Sequence, residues 1–177
     1  PLPLVVLTPK SLLRHTLVAS SPMELAQGRF RSVIDDQEAR QRASSVRRLV
    51  LCSGKVYVDL VSSDRRQSSS HVAICRVEQL APFPRVALRE VLDAYPSLEE
   101  VAWLQEEPKN MGAWTFVAPR LRELVGDVTY IGRAESASPA EGSKPRHDAE
   151  QSRILEAALS EAPVLPEGSP AAVPARG

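Results

Sequence analysis

The sequence predicts an α/β fold, a mostly parallel sheet with helices on both faces. Two observations carry this. Apolar runs of strand length recur at Val46–Cys52, His71–Val77, Val101–Leu104 and Val128–Ile131. Between and after them lie segments with helical apolar spacing and short turns. Alternation of strand and helix with short connections selects a doubly wound parallel sheet.

The elements follow in order. Leu4-Val5-Val6-Leu7, ended by Thr8-Pro9, reads as a buried strand entering a turn. Ser11 to His15 reads as a helical turn. Ser20-Ser21-Pro22-Met23-Glu24 has the marks of a helix start: a serine cap, an early Pro and an acid in the first turn. Gly28 closes that helix. Phe30 to Ile34 alternates apolar and basic residues, as a half-exposed strand does, and the charged stretch Asp35 to Ser45 reads as a flexible surface loop. After strand Val46–Cys52, Val56, Tyr57, Leu60 and Val61 share a helical face. Asp64 to Ser70 is a polar break before the strand His71–Val77. Pro84 suits the first turn of a helix that buries Leu88, Val91, Leu92 and Tyr95. Strand Val101–Leu104 leads into the polar loop Gln105 to Gly112. A helix over Ala113 to Val125 is expected to be shortened or kinked at Pro119. Strand Val128–Ile131 and a last helix over His147 to Leu159 complete the unit. The domain is expected over residues 1–160, with a disordered Pro/Ala-rich tail at 161–177.

Composition bounds the function class. The chain has 177 residues, 43% of them hydrophobic, and 22 basic side chains balance 22 acidic ones. A zero net charge gives no general attraction to nucleic acid or anionic membrane. No apolar run approaches the ~20 residues of a membrane span. The opening Pro1-Leu2-Pro3 has neither Met nor a basic leader, and reads as a start at a domain boundary without a signal peptide. Cys52 and Cys75 fall in strand-like runs, where buried free thiols are expected.

Ligands of such sheets gather beyond the carboxyl ends of the strands. Four polar loops lie there: Thr8–Ser11, Ser53–Lys55, Gln105–Gly112 and Gly132-Arg133. Lys55 is placed in the first turn of a helix, against the positive end of its dipole. A bound anion would relieve that placement, and so would a side chain pointing into solvent. Glu106 and Glu107 are expected as loop anchors, one of them paired with Arg133. No glycine-rich phosphate loop, nucleophile elbow or dinucleotide fingerprint is present. His15, His71 and His147 lack zinc spacing.

At these same loops the sequence resembles the C-terminal domain of the first component of 2-oxoglutarate dehydrogenase. The matching words are Thr8-Pro-Lys-Ser-Leu-Leu-Arg-His15, Cys52-Ser-Gly-Lys-Val-Tyr57 with Asp59-Leu60, and Ala73-Ile-Cys-Arg-Val-Glu-Gln-Leu80 with Pro82-Phe-Pro84. They continue with Gln105-Glu-Glu-Pro108, Asn110, Gly112-Ala-Trp114, Gly132-Arg133, Ser136-Ala-Ser-Pro-Ala140 and Gly142, then His147, Glu150-Gln151 and Leu155. The series is collinear from Leu2 to Leu159. Met111 departs from the family's usual Gln, and Ala134-Glu135 from its Pro-Ala.

The resemblance implies a fold like the transketolase C-terminal domain, in a homodimeric oxidoreductase of the tricarboxylic acid cycle. That enzyme decarboxylates 2-oxoglutarate on thiamine diphosphate with Mg²⁺ and passes the succinyl group to a lipoyl-bearing second component, the dihydrolipoyl succinyltransferase. Its cofactor ligands and catalytic groups lie in the preceding domains, so no catalytic, cofactor or metal residue is carried over here. The implied roles are to complete the homodimer and to wall the active-site region. The compartment implied is the bacterial cytoplasm or the mitochondrial matrix. Actinobacterial relatives bind acetyl-CoA as an activator in this domain. By that analogy Thr8, Arg31, Lys55, Gln105 and Arg133 are candidate contacts for an acyl-CoA or a nucleotide such as AMP. The alternatives are a purely structural dimerisation domain and a stand-alone nucleotide-binding module.

Overall fold

A computed structural model describes residue 3 and residues 5–162. Leu4 and residues 163–177, which hold most of the expected tail, lie outside the described residues. Five strands form one sheet: β1 (Val33–Ile34), β2 (Arg48–Cys52), β3 (Val72–Val77), β4 (Glu100–Pro108) and β5 (Thr129–Arg133). The helices are α1 (Pro22–Gln27), α2 (Gln37–Arg40), α3 (Val56–Val61), α4 (Arg85–Asp93), α5 (Trp114–Val125) and α6 (Lys144–Leu159). The strand order is β1-β3-β2-β4-β5. The last four strands are mutually parallel, and only the short edge strand β1 runs antiparallel, against β3.

The two faces of each strand explain the layering. On β2, Leu49 and Leu51 pack with α4 and α5, whereas Val50 and Cys52 pack with α3 and α6. The same alternation divides Ala73, Cys75 and Val77 from Val72 and Ile74 on β3, and Val101 and Trp103 from Ala102 and Leu104 on β4. Strands buried on both faces read as continuous apolar runs, which is why these three were legible in the sequence. Both cysteines are buried free thiols, and burial pushes the Cys52 thiol up to about 12, so it is inert at neutral pH. The helix start at Ser21 is a full capping box: its hydroxyl accepts from the Glu24 amide while the Glu24 carboxylate accepts from the Ser21 amide.

Some expectations change. Val5, Val6 and Leu7 form no strand and are 75%, 72% and 93% exposed, because no strand among the described residues pairs with them. Phe30 to Ile34 contributes only the two residues of β1. The charged stretch 35–45 is ordered by its acids. Asp36 caps α2 through the Ala39 amide and pairs with Arg66 at 2.5 Å, and Ala39 is fully buried. Strand β4 runs on through Gln105 to Pro108, with a register shift against β5 between Leu104 and Pro108. Helix α5 runs continuously through Pro119.

Candidate functional site

The topology places one rim of the sheet as the ligand end. From β2 the chain turns through α3 to β3 on one side, and from β4 through α5 to β5 on the other. The carboxyl ends of β2 and β4 therefore flank a topological switch point, where doubly wound sheets leave a crevice. Lys55 follows β2, Arg133 ends β5, and Gln105 lies in β4 one residue past the Leu104 that pairs with Cys52 at the end of β2, so the fold brings these candidates to one rim. Arg31 precedes β1, whose Val33 pairs with Val77 at the end of β3, and so lies farther along the same rim. Its guanidinium reaches Glu24 of α1 at 3.4 Å, with both side chains more than half exposed. Thr8 is exposed in an irregular segment before the 3-10 turn Lys10–Leu12.

At the switch point the polar groups close on one another. The Lys55 ammonium contacts the Asp59 carboxylate one turn along α3 and lies 3.8 Å from Glu106. The side-chain amide of Gln151, on α6, donates to Asp59 at 2.8 Å and to Glu106 at 3.0 Å. These two carboxylates offset the helix-dipole penalty on Lys55, so a bound anion is not needed to explain its placement. Glu106 thus pairs with Lys55 and not with Arg133, correcting the expected anchor, because α3 rather than the β5 loop lies beside it; Glu107 is exposed. Burial pushes the Glu106 carboxyl above its ordinary value, and Lys55 opposes that rise only in part.

Gln105 is 4% exposed and its amide is bonded throughout within the chain. Its oxygen accepts from the Trp103 indole at 3.1 Å and from the Trp114 backbone amide at 2.9 Å. Its nitrogen donates to the Met111 and Pro108 carbonyls at 2.8 and 3.2 Å. Gly112, at φ +64, lies under this amide: a Cβ there would meet the Gln105 nitrogen at 2.9 Å. Arg133, 7% exposed, donates to Nδ1 of His147 at 3.1 Å.

Asp59 and Gln151 were not singled out as site residues from the sequence. The spacing of four between Lys55 and Asp59 was a readable helix pair. Nothing local marks Gln151, which reaches the rim only because α6 packs back across the sheet. The rim offers charge and hydrogen bonds but no activated nucleophile. Among the described residues no group of three or more His, Cys, Asp or Glu side chains converges as for a metal. No helix among them is long and apolar enough to cross a membrane.

Residues 19–159 match the family model described as 2-oxoglutarate dehydrogenase C-terminal. The chain belongs to that family. Among curated proteins it is similar to the 2-oxoglutarate dehydrogenase E1 components of Shouchella clausii (45% identical over 163 residues) and of Geobacillus sp. strain WCH70 (45% over 162). The protein of the same description from Cupriavidus necator is 45% identical over 161 residues. Each match covers 89% of this chain and 17% of the relative. The chain thus spans about a sixth of the length of these relatives, and the match takes in the rim and both layers of the sheet.

Proposed function

We propose that residues 1–160 act as the closing domain of a 2-oxoglutarate dehydrogenase first component, contributing surface and not catalytic groups. In this reading the parent enzyme decarboxylates 2-oxoglutarate on thiamine diphosphate and Mg²⁺ bound outside this chain, and hands the succinyl unit to a lipoyl-bearing succinyltransferase. Homodimerisation and a cytoplasmic or mitochondrial-matrix setting belong to the same proposal.

One observation supports it most. Among the described residues, the exposed large hydrophobic side chains fall, except Val86, between Val5 and Phe30. Leu7 is 93% exposed, Leu25 77% and Phe30 71%. Exposed apolar side chains concentrated in one segment mark a surface that another body covers. Since the relatives extend far beyond the matched part, a larger first component with its twin subunit supplies such a body.

The regulatory half of the proposal places an acyl-CoA or AMP on the rim, with Thr8, Arg31, Lys55, Gln105 and Arg133 as its set. Lys55 and Arg133 are the cations facing the ligand. Gln105 acts by holding the β4–α5 loop, since its amide is already engaged. Calorimetric titration with acetyl-CoA tests this: saturable heat is expected, weakened at least tenfold by Lys55→Ala. Absence of heat, or equal affinity in the variant, would remove the regulatory reading and leave a purely structural domain.

A further inference from the structure

A cavity of about 370 Å³ lies between the β5–α6 loop and α6. Arg133, Ser136, Ser138, Arg146 and Glu150 are among the residues lining it. The loop is held in shape by Asn110, whose amide nitrogen donates to the Ser136 carbonyl at 3.0 Å and whose oxygen accepts from the Ser136 amide at 3.1 Å.

The hydrogen bonding of this cavity wall is incomplete at Arg133. Arg133 is 93% removed from solvent, yet it forms no ion pair among the described residues. The carboxylates of the wall turn to other cations: Glu141 to Arg146 at 2.9 Å and Glu150 to Arg153 at 2.9 Å. Glu135 is exposed. The hydrogen-bonding side-chain partner of Arg133 is His147, whose Nδ1 accepts from the guanidinium and is therefore unprotonated there. The Arg133 Nε is buried with no partner at all. Glu150 lies near enough to share its charge with Arg133, but the buried Nε still lacks an acceptor, and native proteins satisfy such groups. A carboxylate or phosphoryl oxygen seated in the cavity would supply the missing acceptor.

We infer that this cavity is an oxyanion-binding site, taking the carboxylate or phosphoryl group of a small molecule on Arg133. Its volume is at the small end for ligand pockets, which suits a metabolite of few heavy atoms. The inference rests on the regulatory reading only in sharing Arg133. Lys55 and its carboxylates, at the switch point, are not among the residues of the cavity wall.

The test is calorimetric titration of the full chain with succinate and, separately, with inorganic phosphate, at constant ionic strength made up with chloride. Saturable binding is expected in one arm, with a ligand-dependent rise in Tm. Arg133→Gln is expected to weaken it at least tenfold. Ser136→Glu, which brings a carboxylate into the cavity on an exposed loop, is expected to abolish it while the far-UV spectrum is kept and Tm does not fall. Arg47→Ala, at an exposed arginine before β2 that is not part of the cavity wall, is expected to leave the affinity within twofold. Absence of saturable binding of either anion, unchanged affinity in Ser136→Glu, or loss of binding in Arg47→Ala would overturn the assignment.

Discussion

Gln105→Leu is expected to destabilise the protein by about 3–4 kcal/mol in urea unfolding, a large loss for one side chain of similar size. The substitution keeps the volume and removes the amide. The Trp103 indole N–H, on a side chain 1% exposed, then has no acceptor. The Trp114 amide, at the first turn of α5, loses its cap. The Met111 carbonyl loses its Gln105 donor at the same time, while that of Pro108 keeps the Met111 amide at 2.8 Å. Each buried group left unpaired costs about 1–3 kcal/mol, and partial relaxation keeps the sum below the simple total. Because the lock joins β4 to α5, near-ultraviolet tryptophan signals should change with it. A loss below 1 kcal/mol would show that water replaces the amide and that the loop needs no such lock.

Arg48→Ala is expected to cost about 3–5 kcal/mol and to loosen the end of α6 in particular. Arg48 starts β2 and is 3% exposed. Its Nε donates to Glu100 at 2.6 Å, while its terminal nitrogens reach the carbonyls of Ala157, Ala158, Ser160 and Ala162 between 2.6 and 3.3 Å. These include carbonyls at the end of α6 that have no partner within the helix. His71 donates to the Ser160 carbonyl at 3.0 Å and Ser69 to that of Leu159 at 2.8 Å, so three side chains clamp the exit of the helix. Without Arg48 the Glu100 carboxylate keeps a buried oxygen that already lacks a partner and loses the one cation paired with it among the described residues. Arg48→Lys keeps the charge but not the fan of donors, and is expected to recover less than half of the loss. Hydrogen exchange should show fast amides over the last turn of α6 in both variants. Wild-type protection there in Arg48→Ala would refute the clamp.

These two residues mark where the sequence stops being legible. The strands β2, β3 and β4 were readable because both faces are buried and no polar residue interrupts the runs. The Ser21 cap was readable because its partners lie within four residues. Arg48 and Gln105 read as a strand entry and a ligand contact, since their partners come from α6 and from the turn after β4. The stretch 35–45 looked solvated by composition, but Asp36 both caps α2 and meets Arg66, thirty residues on. The opposite error fell on Val5–Leu7, where apolar content suggested a buried strand and the described residues offer no partner strand. At the rim, the placement of Lys55 and Arg133 followed from strand order alone. Their charges did not: Lys55 is neutralised by Asp59 and Glu106, whereas Arg133 forms no ion pair among the described residues.

The central claim is that this domain closes a 2-oxoglutarate dehydrogenase without supplying its chemistry. The most direct test is decarboxylation of 2-oxoglutarate by the purified 177-residue chain, with thiamine diphosphate, Mg²⁺ and an artificial electron acceptor. The expected result is no turnover above the protein-free control, with and without acetyl-CoA. Turnover that scales with the concentration of this chain would contradict the account, because it would require catalytic groups among the residues described here.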